Sequence, residues 1–437
     1  MTNDVAVAIL ALVFGAIVVR QLFGRGPPIW GIFAVGAAGT VVSSTLSLGG
    51  TYSALTQAAP VLLFLFALFV FAGALERQGI LDHAARWLIG QARSPADLPF
   101  VIFVGFSIAA AFLVNDALVL LAVPLLYGVA KRTKMDAKPM LLAVAFAVTI
   151  GSALTPMGNP QNLLISISSG LQAPVGTYLR YLLLPIAASI VLGALFVRWA
   201  FAARMGPATP EYDRLRAEAP PLFPDGEWSG RILRRPVIVL FPATMVLLIT
   251  LDVGGASFGL PAIPIWEIAL GGALATLFVS QERLAMLRAV DARILVLFAG
   301  LFVVVGGAVA GGVIGSLETL LPIPATGSSS TSALPSIFAT SVVASQVVSN
   351  VPWVALQIPV LTGLGYGAST PIPWVALGAA STLAGNVTFL GAASNLILVD
   401  RAERTGIPIR LAEFMRYGLP IAALSIGLTF AALWIGL

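Results

Sequence analysis

Cysteine is absent from the 437 residues, and charge is scarce: 10% of positions are Asp, Glu, Lys or Arg, against about 25% in ordinary soluble domains. Without cysteine there is no disulfide, no thiolate metal site and no cysteine nucleophile. Histidine occurs once, as His83 in the polar stretch LDHAARW (81–87), and reads as a solvated or packed side chain rather than a pH sensor. No glycine-rich loop ends in Lys-Ser/Thr. The stretch GGAVAGGVIG (306–315) lies in an apolar run and fits close helix packing better than phosphate binding. The chain thus carries no ATP-driven engine of its own, which leaves a soluble ATPase partner open, and it shows no metal or cofactor motif.

Apolar residues make up 58% of the chain, and mean hydropathy is +0.98. Runs of roughly 20 such residues, the length that crosses a bilayer, give expected spans at 5–22, 29–48, 59–75, 139–171, 178–201, 236–251, 263–279, 294–314, 372–400 and 411–436. Two further apolar runs, 99–130 and 334–363, are cut near their centres, at Asn115-Asp116 and Ser349-Asn350. Ahead of the first run stands Asp4 rather than a basic stretch, and no small-residue cleavage site follows, so this run reads as a retained span. Trp30, Trp266, Trp374 and Trp434 fall near span ends, where tryptophan commonly anchors at the interface.

The basic balance, +5 with pI about 9.8, gains its meaning from where the charges fall. With the N-terminus outside and both cut runs re-entrant, 23 of the 24 Lys and Arg lie inside and Arg180 alone lies outside, as the positive-inside rule requires. Were 99–130 a true span, Lys131, Arg132 and Lys134 would stand opposite the Arg77, Arg86 and Arg93 loop, and the bias would collapse. The excess is therefore a signal of topology in an inner cell membrane, with both termini outside, and not a footprint for nucleic acid. The expected fold is an all-α polytopic membrane protein of about 10 transmembrane helices in two inverted repeats of five spans. Residues 1–201 form the first repeat (hairpin 99–130, broken helix 139–171), and 202–235 a charged, proline-rich cytoplasmic linker. The second repeat is 236–437 (hairpin 334–363, broken helix 372–400).

The repeat is written in the polar residues. Asn115 and Pro124 match Asn350 and Pro359 at an offset of 235, and Gly158, Asn162 and Leu163 match Gly391, Asn395 and Leu396 at 233. Paired helix breaks inside the membrane are how secondary transporters build a substrate site, since loosened backbone survives there only against protein or a watery cavity. Asn350 is expected to cap one half-helix, with Pro352 in its first turn; Asn159 to cap another, with Pro160 at the first helical position. Four such N-termini would bring on the order of two positive charges to the cavity without any Lys or Arg.

Asp116 is the one acidic residue at a hairpin tip. An ionisable group at that depth is a functional candidate by default; it either exchanges a proton or ligates a cation, or it caps the second arm of its hairpin. Asn115, Asn162, Asn350 and Asn395 either line the cavity or satisfy the loosened backbone. Thr155, Ser152, Asn386 and Thr388 precede the breaks, where they offer ligands or bond back to their own helices. Gln346 and Gln357 fit helix–helix hydrogen bonds, and Pro124 and Pro359 fit kinks.

These motifs resemble the ion transporter superfamily: arsenical-pump membrane proteins, NhaD-type sodium/proton antiporters, citrate and dicarboxylate permeases, and silicon-efflux relatives. VNDALVLLAVPLL (114–126) is similar to the hairpin of the arsenical-pump and NhaD branch, and TPMGNPQNLLI (155–165) and FLGAASNLIL (389–398) to the two helix breaks. The dicarboxylate branch carries Ser-Asn-Thr at both tips, whereas here the tips read Val-Asn-Asp and Ser-Asn-Val. The resemblance implies a substrate and coupling-ion site at Asn115, Asp116, Gly158, Asn159, Asn162, Asn350, Gly391, Ser394 and Asn395; Thr155 and Thr388 before the breaks and Ser349 at the second tip complete the expected set. It also implies homodimers in some members.

The expectation is a transporter rather than an enzyme, working by alternating access between the two halves. The first candidate is export of a small oxyanion or metalloid hydroxide, arsenite or antimonite, against protons carried by Asp116. A sodium/proton antiporter and an uptake permease for a carboxylate or other inorganic anion are the alternatives.

Overall fold

The computed structural model describes residues 3–23, 26–221, 235–255, 263–327 and 331–436; Arg25, Arg231 and Arg234 of the charge pattern, and residues 222–234 of the linker, lie outside these. Twenty α-helices and no sheet occur among the described residues. Six of these helices are long and apolar enough to cross a membrane: α1 (Asp4–Phe23), α3 (Leu48–Arg77), α9 (Pro174–Met205), α11 (Val237–Gly254), α14 (Ala292–Ala310) and α20 (Leu411–Ile435). Shorter apolar helices stand at the remaining expected spans: α2 (Ile29–Val42), α12 (Ile265–Val279), and the first arms of two broken helices, α7 (Ala137–Ser152) and α18 (Pro371–Leu383).

Both broken helices resume after irregular stretches, as α8 (Pro160–Ser168) and α19 (Ala393–Arg404). Each cut run is a helical pair: α5 (Leu98–Ala110) with α6 (Asn115–Thr133), and α16 (Leu334–Val348) with α17 (Asn350–Gly363). Short helices α4 (Ile80–Gly90) and α15 (Val313–Leu320) precede the two pairs, and α13 (Arg283–Ala289) precedes α14. Pro124 and Pro359 lie inside α6 and α17, as kinks require.

Two expected boundaries move. The second span ends at Val42 rather than 48, because the chain turns through Ser44 at φ 56°. The third begins at Leu48, not 59; Ser47 accepts from Gly50 N at 3.0 Å and caps it. The polar residues Thr51, Tyr52, Ser53 and Gln57 hide that first stretch from a hydropathy count. Trp374 also departs from expectation. It is fully buried, and its Nε1 donates to the Gly367 carbonyl at 3.2 Å instead of anchoring at an interface. The glycine stretch 306–315 straddles the end of α14 and the start of α15, and a Cβ on Gly300 in the same helix would meet the Phe33 carbonyl of α2 at 2.8 Å. Close packing is thus what the glycines of α14 permit.

The two halves interleave rather than stand side by side. Helix α2 packs on α14 and α12 on α3; α6 packs on α19 and α17 on α8; α9 packs on α20. Each of the first two pairings is the image of the other at the sequence offset, as are the next two. Neither half therefore forms a body that can rock against its partner. Packing instead gathers α1–α3 with α11–α14, and α5–α9 with α16–α20. The second group has its centre at α7 and α18, apolar all round and buried on nearly every residue. At one end of it Arg204 bonds Asp136 at 2.6 Å and Glu413 at 3.1 Å, and Lys138 reaches Glu413 at 3.2 Å, tying α7, α9 and α20 together.

The described part of the linker is docked. Helix α10 (Pro210–Ala217) starts at Thr209, which accepts from Tyr212 N at 3.2 Å. The buried Tyr212 hydroxyl donates to the Ala92 carbonyl at 2.9 Å, and burial pushes its phenol up to about 12. His83 is a packed histidine, its Nε2 2.9 Å from the Pro221 carbonyl.

Candidate substrate and ion site

The two tips and two breaks meet. At the start of α6, Asn115 N donates to the Gly158 carbonyl at 3.2 Å, and Asn115 Nδ2 reaches Ser394 Oγ, at the start of α19, at 3.4 Å. Three helix starts are thereby joined across both halves: α6, α8 and α19. Thr155 donates to the Ala111 carbonyl, fixing the first break to the end of α5. A Cβ on Gly158 would stand 2.6 Å from the Ala110 and Ser152 carbonyls, so only glycine fits there.

Asn159 caps α8 as its sequence announces: Oδ1 accepts from Asn162 N at 2.8 Å, with Pro160 at the first helical position. Its Nδ2 donates to the Ser152 carbonyl at 2.9 Å and to Thr382 Oγ1 at 3.2 Å. Asn162 is spent on the break itself. Its Nδ2 lies 3.1–3.3 Å from the carbonyls of Ser152, Ala153 and Thr155, and its Oδ1 accepts from Thr382 at 3.4 Å.

The second break is built alike but is less complete. Asn395 Nδ2 donates to the Gly385 carbonyl at 2.7 Å and reaches Thr149 Oγ1 at 3.4 Å. Held that way, its Oδ1 is turned from both partners and, though buried, accepts nothing. Asn350 Oδ1 is likewise buried and unpartnered. The two asparagines flank Gly385, where a Cβ would lie 3.7 Å from Asn350 Nδ2. Thr388 donates to Gln346 Oε1 at 2.7 Å, and Gln346 Nε2 donates to the Ala384 carbonyl at 2.8 Å, the helix–helix bond expected of it. Gly391 packs against the Gln346 amide, 2.9 Å from where its Cβ would be. Gln357, by contrast, is buried with its Nε2 unbonded.

At the second tip Asn350 does not cap. Ser349 holds the cap position at φ 71°, unusual for a residue with a side chain, and Asn350 is the first helical residue. No side chain caps α17 or α19. At the first tip Asp116 does not cap α6 either; Val114 is at the cap position, and Asp116 N bonds Asn115 Oδ1 at 2.9 Å. The Asp116 carboxylate is half-buried, without an ion-pair or hydrogen-bond partner among the described residues. Every side chain in this network is an amide or a hydroxyl, and no lysine or arginine enters it among the described residues.

Thr149 and Thr382 escaped the sequence reading. Each bonds the break asparagine of the opposite half: Thr149 to Asn395, and Thr382 to Asn162. Their signal was present, since they too stand 233 apart, as do Thr155 and Thr388. Gln21 escaped as well, and nothing in a repeat could have pointed to it.

Known proteins agree with this architecture. An uncharacterized transporter of Mycobacterium tuberculosis is 29% identical over 383 residues, covering 86% of this chain and 85% of its own. A silicon efflux transporter of Oryza sativa subsp. japonica, LSI3, is 33% identical over 135 residues, 31% of this chain and 27% of its own. Among solved structures, the YdaH transporter of Alcanivorax borkumensis shares the fold, with TM-score 0.55 at 16% identity over 88% of this chain and 87% of that one. The model of the citrate transporter family, CitMHS, matches residues 1–384. The chain is therefore a member of that family of the ion transporter superfamily, a multi-pass membrane transporter.

Proposed function

We propose that this transporter exports a small polyhydroxide or oxyanion, arsenite or antimonite first, in exchange for protons carried by Asp116. One observation carries the choice. Around the second break stand two uncapped helix starts, α17 and α19, whose N–H groups need acceptors. Beside them are the buried, unpartnered amide oxygens of Asn350 and Asn395, which need donors. A metalloid hydroxide, undissociated near neutral pH, brings both in one group. An ionised carboxylate brings only acceptors, and a bare sodium ion fills only the oxygens. The absence of Lys and Arg from the network fits a solute without full charge, and the name of the silicon efflux relative points to the same chemistry.

The site is formed by Asn115, Asp116, Thr155, Gly158, Asn159, Asn162, Ser349, Asn350, Thr388, Gly391, Ser394 and Asn395, with the first-half members chiefly bracing it. The offsets and the paired helix contacts support two inverted repeats, 1–201 and 236–437. The charge map supports an inner-membrane orientation with both termini outside. Access alternates as α5–α9 with α16–α20 shift against α1–α3 with α11–α14, and Asp116 loads and releases its proton on opposite faces.

A second candidate, carboxylate uptake, has the family's own description in its favour. There the uncapped helix starts take the carboxylate and an accompanying cation or proton meets the amide oxygens. Sodium/proton antiport at Asp116 is the third. Purified protein in vesicles carrying a pH dye separates them under arsenite, antimonite, silicic acid, citrate, sodium and lithium in turn. We expect proton movement with the metalloid hydroxides and its loss in Asp116→Asn. A response confined to citrate or to sodium overturns the substrate assignment, and a full response in Asp116→Asn removes the carboxylate from coupling.

A further inference from the structure

The buried Gln21 sits near the C-terminal end of α1, a helix that packs with α2 and α14 and touches the other group at α16. Its amide is directed at the second hairpin tip. Turned so that all its partners are satisfied, the nitrogen donates to the Val347 carbonyl at 2.5 Å and the Gln346 carbonyl at 3.2 Å, while the oxygen accepts from Ser349 N at 3.3 Å.

Those carbonyls belong to the last turn of α16, where a helix leaves its C=O groups without intrahelical donors. They precede Ser349, the residue held at φ 71°. A positive φ on a serine persists only where surrounding contacts over-determine it. The Gln21 amide is one such contact, and it comes from outside both the hairpin and the broken helix.

We infer that Gln21 is a positioning residue, a latch by which α1 holds the second hairpin tip and its break in register with the site. Resting on the proposed movement of one helix group against the other, the latch is made in this arrangement and broken when α16–α20 shift. It acts through Ser349 and Gln346, whose side chain in turn holds Thr388 at 2.7 Å. Loss of the amide therefore loosens the tip and the break together.

The cysteine-free chain makes the test direct. A single cysteine is introduced as Val351→Cys, at the second tip, or as Ala117→Cys, at the first, and its maleimide labelling rate is measured in vesicles. In a Gln21→Leu background the second-tip cysteine is expected to label about fivefold faster, the factor that one net hydrogen bond of about 1 kcal/mol is worth, with the first tip unchanged. Equal rates in both backgrounds overturn the latch, and so does acceleration at both tips, which marks general loosening. Gln21→Met keeps the length and apolar packing and carries the same comparison if Gln21→Leu does not fold. Labelling needs no transported solute, so a failed substrate assignment leaves this result intact, and an unchanged rate leaves the substrate assignment intact.

Discussion

At the scale of single residues, the two break asparagines look interchangeable in sequence and differ in what they have left to give. Asn162 spends its whole amide on Ser152, Ala153, Thr155 and Thr382, whereas Asn395 keeps a free oxygen. With each net hydrogen bond worth about 1 kcal/mol, Asn162→Ala should lower the thermal midpoint clearly more than Asn395→Ala. Transport kinetics should show the reverse, with the larger rise in KM for Asn395→Ala. Equal effects on both measures would mean that the two breaks share one role. Sequence identified both asparagines because helix breaks demand unusual residues and the repeat doubled them. It could not rank them, because the ranking depends on which carbonyls the folded chain brings within 3 Å or so of each amide. Thr149 and Thr382 were hidden for a related reason: threonine is at home in any membrane helix, bonding back to its own turn.

At the scale of elements, the hairpins and broken helices were readable because a polar cut in an apolar run is costly in lipid and so carries meaning. The ends of elements were less readable. Asn159 caps α8 as expected, but the second tip uses a strained Ser349 in place of an Asn350 cap, and side-chain choice alone does not reveal a positive φ. The re-entrant assignment itself is open to a simple check. Lys134, just past α6, and Ser369, just before α18, are both exposed. Cysteines at these positions should react with a membrane-impermeant maleimide from opposite faces of oriented vesicles. Labelling of both from one face would require one cut run to be a span and would dissolve the inverted arrangement.

At the scale of the whole molecule, apolar runs gave the spans and charge an expected side for each, but neither gave which helix neighbours which. Alternating access between two halves is the natural expectation from a repeat, yet α2 lies against α14, α12 against α3, and α6 against α19. Those neighbours lie far apart along the chain, and nothing local in the sequence encodes their meeting. The halves should therefore behave as obligate partners. Cut between 221 and 235 and produced together as two chains, they should co-purify through a tag on one and transport as the intact chain does. Residues 1–221 produced alone should fail to give a stable, monodisperse protein. A well-folded first half by itself would contradict the interleaved packing.

The same interleaving sets an order for biosynthesis. As the ribosome delivers the chain, α3 enters the bilayer long before α12 and α14 exist to cover it, and α6 arrives at the membrane with its partner α19 still some 260 residues from translation. For that interval the first hairpin, with its half-buried carboxylate, must be kept in lipid or by the insertion machinery. Delays or pauses in translating the second half should thus expose this protein to membrane quality control at a stage when its individual spans are already correctly inserted.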